Sequence, residues 1–456
     1  MKKKKVLIVL LLAVIVVVLG SYPIIFKRKP TVAKEENVLK LYVLGSDENN
    51  YDRRIQAVVR EYEKKYTNIK IKVVVFNAST SDGVDNYVKK MLTDTLADDG
   101  PDILVLDSQT TRKLEKADML VDLGAFIEKD RDFKKEDYNM KVIEGGKYKG
   151  KQVIMPFDYY VNQYITTEEL LKKNNLNLQE NYTEKQFIKE LSSYIASASK
   201  DRKKLLFANQ VNIEDFIEGS GVNFIDYDSK KAYFDKPEFK EIVEDYKKIY
   251  NSSKKDSEVT GRSGTDGFEA LKNGTALLSN DPIDMRDTFF PYESLIKQTI
   301  KENLIINVIP GYSGGERITP IVNGSLAISK NAKNKAAAYN FIKLAISEEI
   351  QKNRQIPFMI PVNKKAAREL EQQYIKNEVN STFEYSKSLT VVKQPLSENF
   401  KAYYDKIIDQ VDEAKVTNSE VENMMMECLT PYFEDKASYE TCLKILENKI
   451  NLYLNE

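Results

Sequence analysis

The 456-residue chain contains no histidine. That removes every catalytic imidazole, every histidine metal ligand and every pH switch built on that side chain. Serine–histidine–aspartate and cysteine–histidine mechanisms are excluded with it. Tryptophan is also absent, so any aromatic platform must be built from the 27 tyrosines and 19 phenylalanines. There are only two cysteines, Cys428 and Cys442, and no pair with CxxC spacing. The segments around them read as two helices joined by TPYFEDKAS, so they form either a disulfide or two separately buried thiols. No long stretch has the composition of a disordered chain.

The charge balance hides an asymmetry. Lysine plus arginine and aspartate plus glutamate each count 69, but seven of the basic residues and none of the acidic ones fall in the first 29 positions. The remainder is mildly acidic and has no long basic patch, which argues against a nucleic-acid partner. Lys2 to Lys5 precede a 21-residue uncharged run, Val6 to Phe26. As a helix this run matches a hydrocarbon core of about 30 Å. It reads as a transmembrane anchor with a cytoplasmic start, or as a secretory signal cleaved after Val18-Leu19-Gly20. Either reading puts the rest of the chain outside the cell, at the extracellular face of a bacterial membrane. No cysteine lies near Gly20, so a lipid-modified cysteine anchor is excluded.

After a polar tether at 27–37, the pattern is that of α/β construction. VLKLYVL (38–44), IKIKVVVF (69–76) and DILVLD (102–107) read as strands. The intervening stretches 52–66 and 84–98 read as amphipathic helices, with Ile55, Val59, Tyr62 and Tyr66 on one face. A further helix is expected at 112–120. Residues 147–170 read as a hairpin followed by two strand-like segments, and 333–351 as one strong helix. Beyond Pro361 the chain reads as almost wholly helical. The length calls for about two lobes.

Five segments follow one another in order: VVREYEKKYTNIKIKVVVF (58–76), PDILVLDSQTTRKLEKADMLVDL (101–123), YKGKQVIMPFDYYVNQYITTEELLKKNNL (148–176), FEALKNGTALLSNDP (268–282) and IVNGSLAISKNAKNKAAAYNFIKLAISEEIQ (321–351). Together they resemble the extracellular solute-binding protein family 1, the sugar-type receptors of ABC importers. IPFMIPVNKKA (356–366) adds a weaker sixth match. The resemblance implies a periplasmic-binding-protein-like α/β fold of two lobes with a ligand cleft between them. Lobe one would hold 38–158 and 315–350, and lobe two 159–314 and 351–456. It further implies ABC permease subunits as partners, no cofactor and no enzymatic role. Sugar receptors of this kind often carry a cleft tryptophan just after the segment matching Asn280-Asp281-Pro282, where this chain has Ile283.

Ligands of open α/β sheets collect beyond the carboxyl ends of the strands. Polar candidates at such ends or in nearby loops are Asp47, Asp107, Asp158, Asn280, Asp281, Arg286 and Arg317. Tyr159, Tyr160 and Tyr312 are the candidate rings. Strand alternation lets only one of Tyr159 and Tyr160 face a cleft, and Tyr160 is favoured. Asn162 occupies the position where the resemblance expects an asparagine. The glycine-rich stretch 311–324 matches no nucleotide-binding pattern and reads as a connection between lobes. Asp281, Asp284 and Asp287 could pair for glycoside hydrolysis only at a defined spacing across a sugar. A carbohydrate is the expected solute. A peptide or polyamine receptor and an envelope structural protein with the same fold are the alternatives. A buried acid pair with rings would point to a cation, and neutral amides with rings to a sugar.

Overall fold

Eleven residues, Asn37–Asp47 (β1), make the first strand, and β2 (Asn50–Tyr51) folds back on it. β3 (Ile69–Asn77) and β4 (Ile103–Leu106) pair with β1 in parallel. The computed structural model describes residues 37–455, apart from 48, 78–80, 98, 180, 199, 201–203, 254–262, 281–285 and 313–317. A short hairpin, β5 (Lys147–Tyr148) with β6 (Lys151–Gln152), leads into β7 (Met155–Val161). One residue later β8 (Gln163–Thr167) begins in a different sheet. β9 (Leu205–Phe207) follows, then the hairpin of β10 (Ile225–Asp226) and β11 (Lys231–Ala232), then β12 (Ala276–Leu278) and β13 (Leu304–Val308). β14 (Pro320–Ile328) and β15 (Ile360–Pro361) return to the first sheet, whose order is β15-β7-β14-β4-β1-β2 with β3 beside β1.

The second sheet pairs β13 with β8 antiparallel and β12 with β9 parallel. The two pairs are joined by hydrogen bonds exchanged between Ile165 and Ser279, at 2.7 and 2.9 Å. The chain thus crosses between sheets at Asn162 and again between β13 and β14. A third segment lies alongside: Val411 and Lys415 bridge Ile318 and Ile321 in parallel.

Local chemistry explains the elements that frame this arrangement. Asp52 caps the helix Arg53–Lys65 by accepting from the Arg54 amide at 2.8 Å. Ile55, Val58 and Tyr62 on that helix are buried, and the Tyr62 hydroxyl donates to the Ala337 carbonyl at 2.9 Å. Each such side chain contributes about 2 kcal/mol by leaving water. The helix expected over 333–351 is two, Lys335–Ala345 and Glu348–Gln351. Ser347 breaks it by capping the second piece, with its Oγ accepting from the Ile350 amide.

Two expectations are corrected here. The C-terminal region is not wholly helical: Thr382–Ser386 (β16) and Leu389–Val392 (β17) form an antiparallel hairpin. No helix among the described residues is long and apolar enough to cross a membrane. The longest, Tyr439–Asn455, has 17 residues and carries Glu440, Lys444, Glu447 and Lys449. Residues 1–26, read as anchor or signal, lie outside the described residues. The anchored fold, the membrane partnership and the anchored location are therefore withdrawn.

Candidate functional site

β4 ends at Leu106 and β1 at Asp47 in the first sheet, while β9 and β12 end at Phe207 and Leu278 in the second. The segments following these ends carry most of the polar groups marked in the sequence. Asp107 is half-buried and committed to its own helix: one carboxylate oxygen accepts from the Thr110 amide at 2.9 Å and from its hydroxyl at 2.8 Å. Asp47 is exposed and accepts from the Asn49 amide at 2.8 Å, closing a turn. Both hold loop shape, the ordinary use of aspartate in such positions.

Asn280, just beyond β12, is different. Its amide nitrogen donates to the Gln210 carbonyl at 3.1 Å. Its side-chain oxygen is buried and has no hydrogen-bond partner among the described residues. A buried acceptor left this way costs about 1–3 kcal/mol unless something donates to it.

The crossing strand sorts its two tyrosines. Tyr159 is fully buried, and its hydroxyl donates to the Ile407 carbonyl at 2.7 Å. Tyr160, on the opposite face, is half-buried. Asp158 shares the Tyr160 side of the strand but does not open to solvent. Arg54 reaches it at 2.7 Å, Asn323 donates to it at 3.2 Å and the Met359 amide at 3.0 Å. Burial pushes its carboxyl up, against the pull of Arg54. Asp158 and Tyr159 are thus framework, and their reading as ligand groups is corrected: no atom of either is left to meet a solute.

Tyr312 donates its hydroxyl to Glu241 at 2.8 Å, and burial with that carboxylate pushes its own ionisation up to about 12. Arg286 opens the helix Arg286–Thr299, and its side chain lies outside the described residues. Asp281, Asp284 and Arg317 also lie outside them. Cys428 and Cys442 are both buried, on the adjoining helices Ser419–Phe433 and Tyr439–Asn455, and both are free thiols. The disulfide alternative is corrected accordingly.

Asn162 is the residue of the first crossing. Its carbonyl accepts from the Ile309 amide at 2.9 Å, tying the outgoing chain to the returning one. Its side chain bonds Asp215, whose carboxyl is pushed up to about 6, chiefly by burial. Arg54, Gln210 and Asp215 escaped the sequence reading. For Asp215 a signal existed: Asn212 and Asp215 form a reciprocal cap at the start of the helix Ile213–Gly219.

A groove of about 480 Å³ opens between the lobes. Arg112 and Tyr148 line it from the first lobe, Glu214, Glu218 and Tyr227 from the second, and Lys415 from the third crossing segment. None of the ligand candidates whose side chains are described lines it. Its Lys415 bridges Ile321, which also pairs with Tyr160, so the groove lies on the Tyr160 side of the crossing strands. Asn139 donates to the Ile408 carbonyl at 3.1 Å, next to the acceptor of Tyr159, and the helix Met140–Glu144 then leads to Gly145 in the groove wall.

Residues 45–352 match the family described as bacterial extracellular solute-binding protein, and the chain belongs to that family. No functionally curated protein matches it. Among solved structures it is similar to the sugar-binding protein MalE from Xanthomonas citri, with 14% identity and a TM-score of 0.67 over 92% of this chain and 97% of the other. It is also similar to the ABC substrate-binding protein Lmo0181 from Listeria monocytogenes in complex with cycloalternan, with 17% identity and a TM-score of 0.59 over 92% and 99%. The maltose-bound T. maritima MalE3 gives 18% identity and a TM-score of 0.57 over 91% and 99%. At such identities the likeness establishes the fold.

Proposed function

We propose that the chain is a non-catalytic receptor that captures a carbohydrate between its lobes, on the Tyr160 side, and delivers it to a membrane permease. The observation that carries this reading is the buried, unpartnered side-chain oxygen of Asn280 beside Gln210. A sugar hydroxyl is a donor of the right kind for it, and the half-buried Tyr160 offers a ring to the weakly apolar sugar face. Neutral amides rather than free carboxylates mark this rim: Asp47 and Asp107 are spent on turns and caps. That favours an uncharged polyol over a polyamine. The structural relatives named for cycloalternan, maltose and sugar support the same class.

The test is thermal unfolding of the chain against maltose, longer glucans and other oligosaccharides, with peptides and polyamines as controls. A ligand that binds the native state alone raises the midpoint. A dose-dependent rise with one sugar series is expected, and Asn280→Ala should weaken that sugar about tenfold, the worth of one hydrogen bond. A rise confined to polyamines or peptides would sink the carbohydrate reading.

A further inference from the structure

The helix Ser108–Lys116 belongs to the first lobe, but its basic side chains reach the second. It follows β4 directly, and Asp107 caps it onto that strand through the Thr110 amide and hydroxyl. Arg112 and Lys116 stand four apart and Lys113 and Lys116 three apart, so all three share one side of the helix. Arg112 donates to the Val416 carbonyl at 2.9 Å, one residue beyond the bridge of Lys415 to Ile321, and lies 4.8 Å over the Tyr227 ring. Lys113 pairs with Glu420 at 3.0 Å and with Asp85 of its own lobe at 3.2 Å. Lys116 donates to the Tyr453 carbonyl at 2.7 Å and sits 3.7 Å over that residue's ring.

The receiving surface is carried by the second lobe. Phe433, the last residue of the helix Ser419–Phe433, has its ring 5.0 Å from that of Tyr246, and its carbonyl accepts from Asn251 at 2.9 Å; both partners lie on the helix Pro237–Ser252. Asn418 is buried and ties the two receiving rings together, donating to the Tyr227 hydroxyl at 3.2 Å and to the Tyr453 hydroxyl at 3.0 Å. Arg112 is held ready for this surface by Glu115, which is buried on the same helix and pairs with it at 2.8 Å. Arg112, Tyr227 and Val416 also line the groove, so their contact forms part of its wall, whereas Lys113 and Lys116 do not line it.

We propose that the helix Ser108–Lys116 is an interlobe clasp, which grips the second lobe when the groove closes and releases it when the groove opens. The helix and its partners are carried by different sheets, so rotation of the lobes about the crossing segments must pull them apart. Each contact alone is weak, as exposed ion pairs and cation–ring contacts are, but three from one helix break together. Opening strands no charge: Lys113 keeps Asp85, Arg112 keeps Glu115, and Lys116 is exposed. The clasp draws on charges of the chain itself and acts whatever the solute is, so it stands independently of the carbohydrate reading.

The test is small-angle X-ray scattering of the chain with no solute present. At low salt, Lys113→Glu and Lys116→Met should each enlarge the radius of gyration relative to the unaltered chain. Glu420→Lys added to Lys113→Glu rebuilds the ion pair with its sign reversed, and should bring the radius back. Raising salt from about 20 mM to about 1 M shortens the screening length to about 3 Å. The unaltered chain should then expand toward the radius of the variants, while the variants change less. The salt series needs no substitution, and restoration by the charge swap separates a lost contact from a damaged fold. Equal radii for the unaltered chain and both variants at every salt would overturn the clasp. So would an expansion in Lys113→Glu that the charge swap leaves in place.

Discussion

Glu184 sits at the start of the helix Glu184–Ala198 with 1% of its surface exposed, and neither carboxylate oxygen has a partner among the described residues. Burial, with Asp245 and Glu241 nearby, pushes its carboxyl from 4.5 up to about 8. The sign of the consequence follows from proton counting. Between those two values the folded chain holds a proton that the unfolded chain has released, so stability falls as pH rises from about 4.5 to 8. The loss across that window is on the order of a few kcal/mol from this group. Urea unfolding between pH 5 and 8 should show the decline, and Glu184→Gln should flatten part of it. An unchanged slope in the variant would place the proton elsewhere. Asp158 is buried as well, and it holds Arg54 at 2.7 Å. Asp158→Ala strands a buried guanidinium with Asp52 alone, and should cost about 3 kcal/mol in the same experiment. The sequence displayed Asp158 in a strand-like run, MPFDYYV, but its partner is 104 positions away and could not be read from any local pattern. Asn280 was legible as a polar group at a strand end, yet its orphaned oxygen appears only once Gln210 is beside it.

Elements were most legible where burial imposes a short period. β1, β3 and β4 and the helix Arg53–Lys65 fall within a few residues of where alternation and 3.6-residue spacing put them. The hairpin β16–β17 was missed although TFEYS and LTVV are rich in aromatic and β-branched residues around a Ser-Lys-Ser turn. The surrounding helical pattern outweighed it. The groove had no local signature at all, because its walls are drawn from residues as distant as Arg112 and Met425. The helical pair Ser419–Phe433 and Tyr439–Asn455 carries its own test. With both thiols free and buried, alkylation of the denatured chain without prior reduction should add two adducts. The unfolding midpoint should not move with added reductant. A chain that takes up adducts only after reduction would show that the thiols had paired.

At the scale of the molecule, two sheets share three crossing segments, and solute capture is expected as rotation of one lobe against the other. Solution X-ray scattering should therefore report a smaller radius of gyration at saturating sugar than without it. An unchanged scattering profile, with binding verified by the thermal shift, would mean that the lobes are already in their bound arrangement.

The first crossing consists of Asn162 alone, stapled to the returning chain through the Ile309 amide and to the second lobe through Asp215. So short a joint leaves little room for twist or slide, since β7 and β8 are each held in a sheet within a residue of it. What remains is bending about one line. A permease gripping both lobes would then need to sense a single coordinate, the opening angle, and receptors loaded with solutes of different length would look alike to it whenever they settle at the same angle.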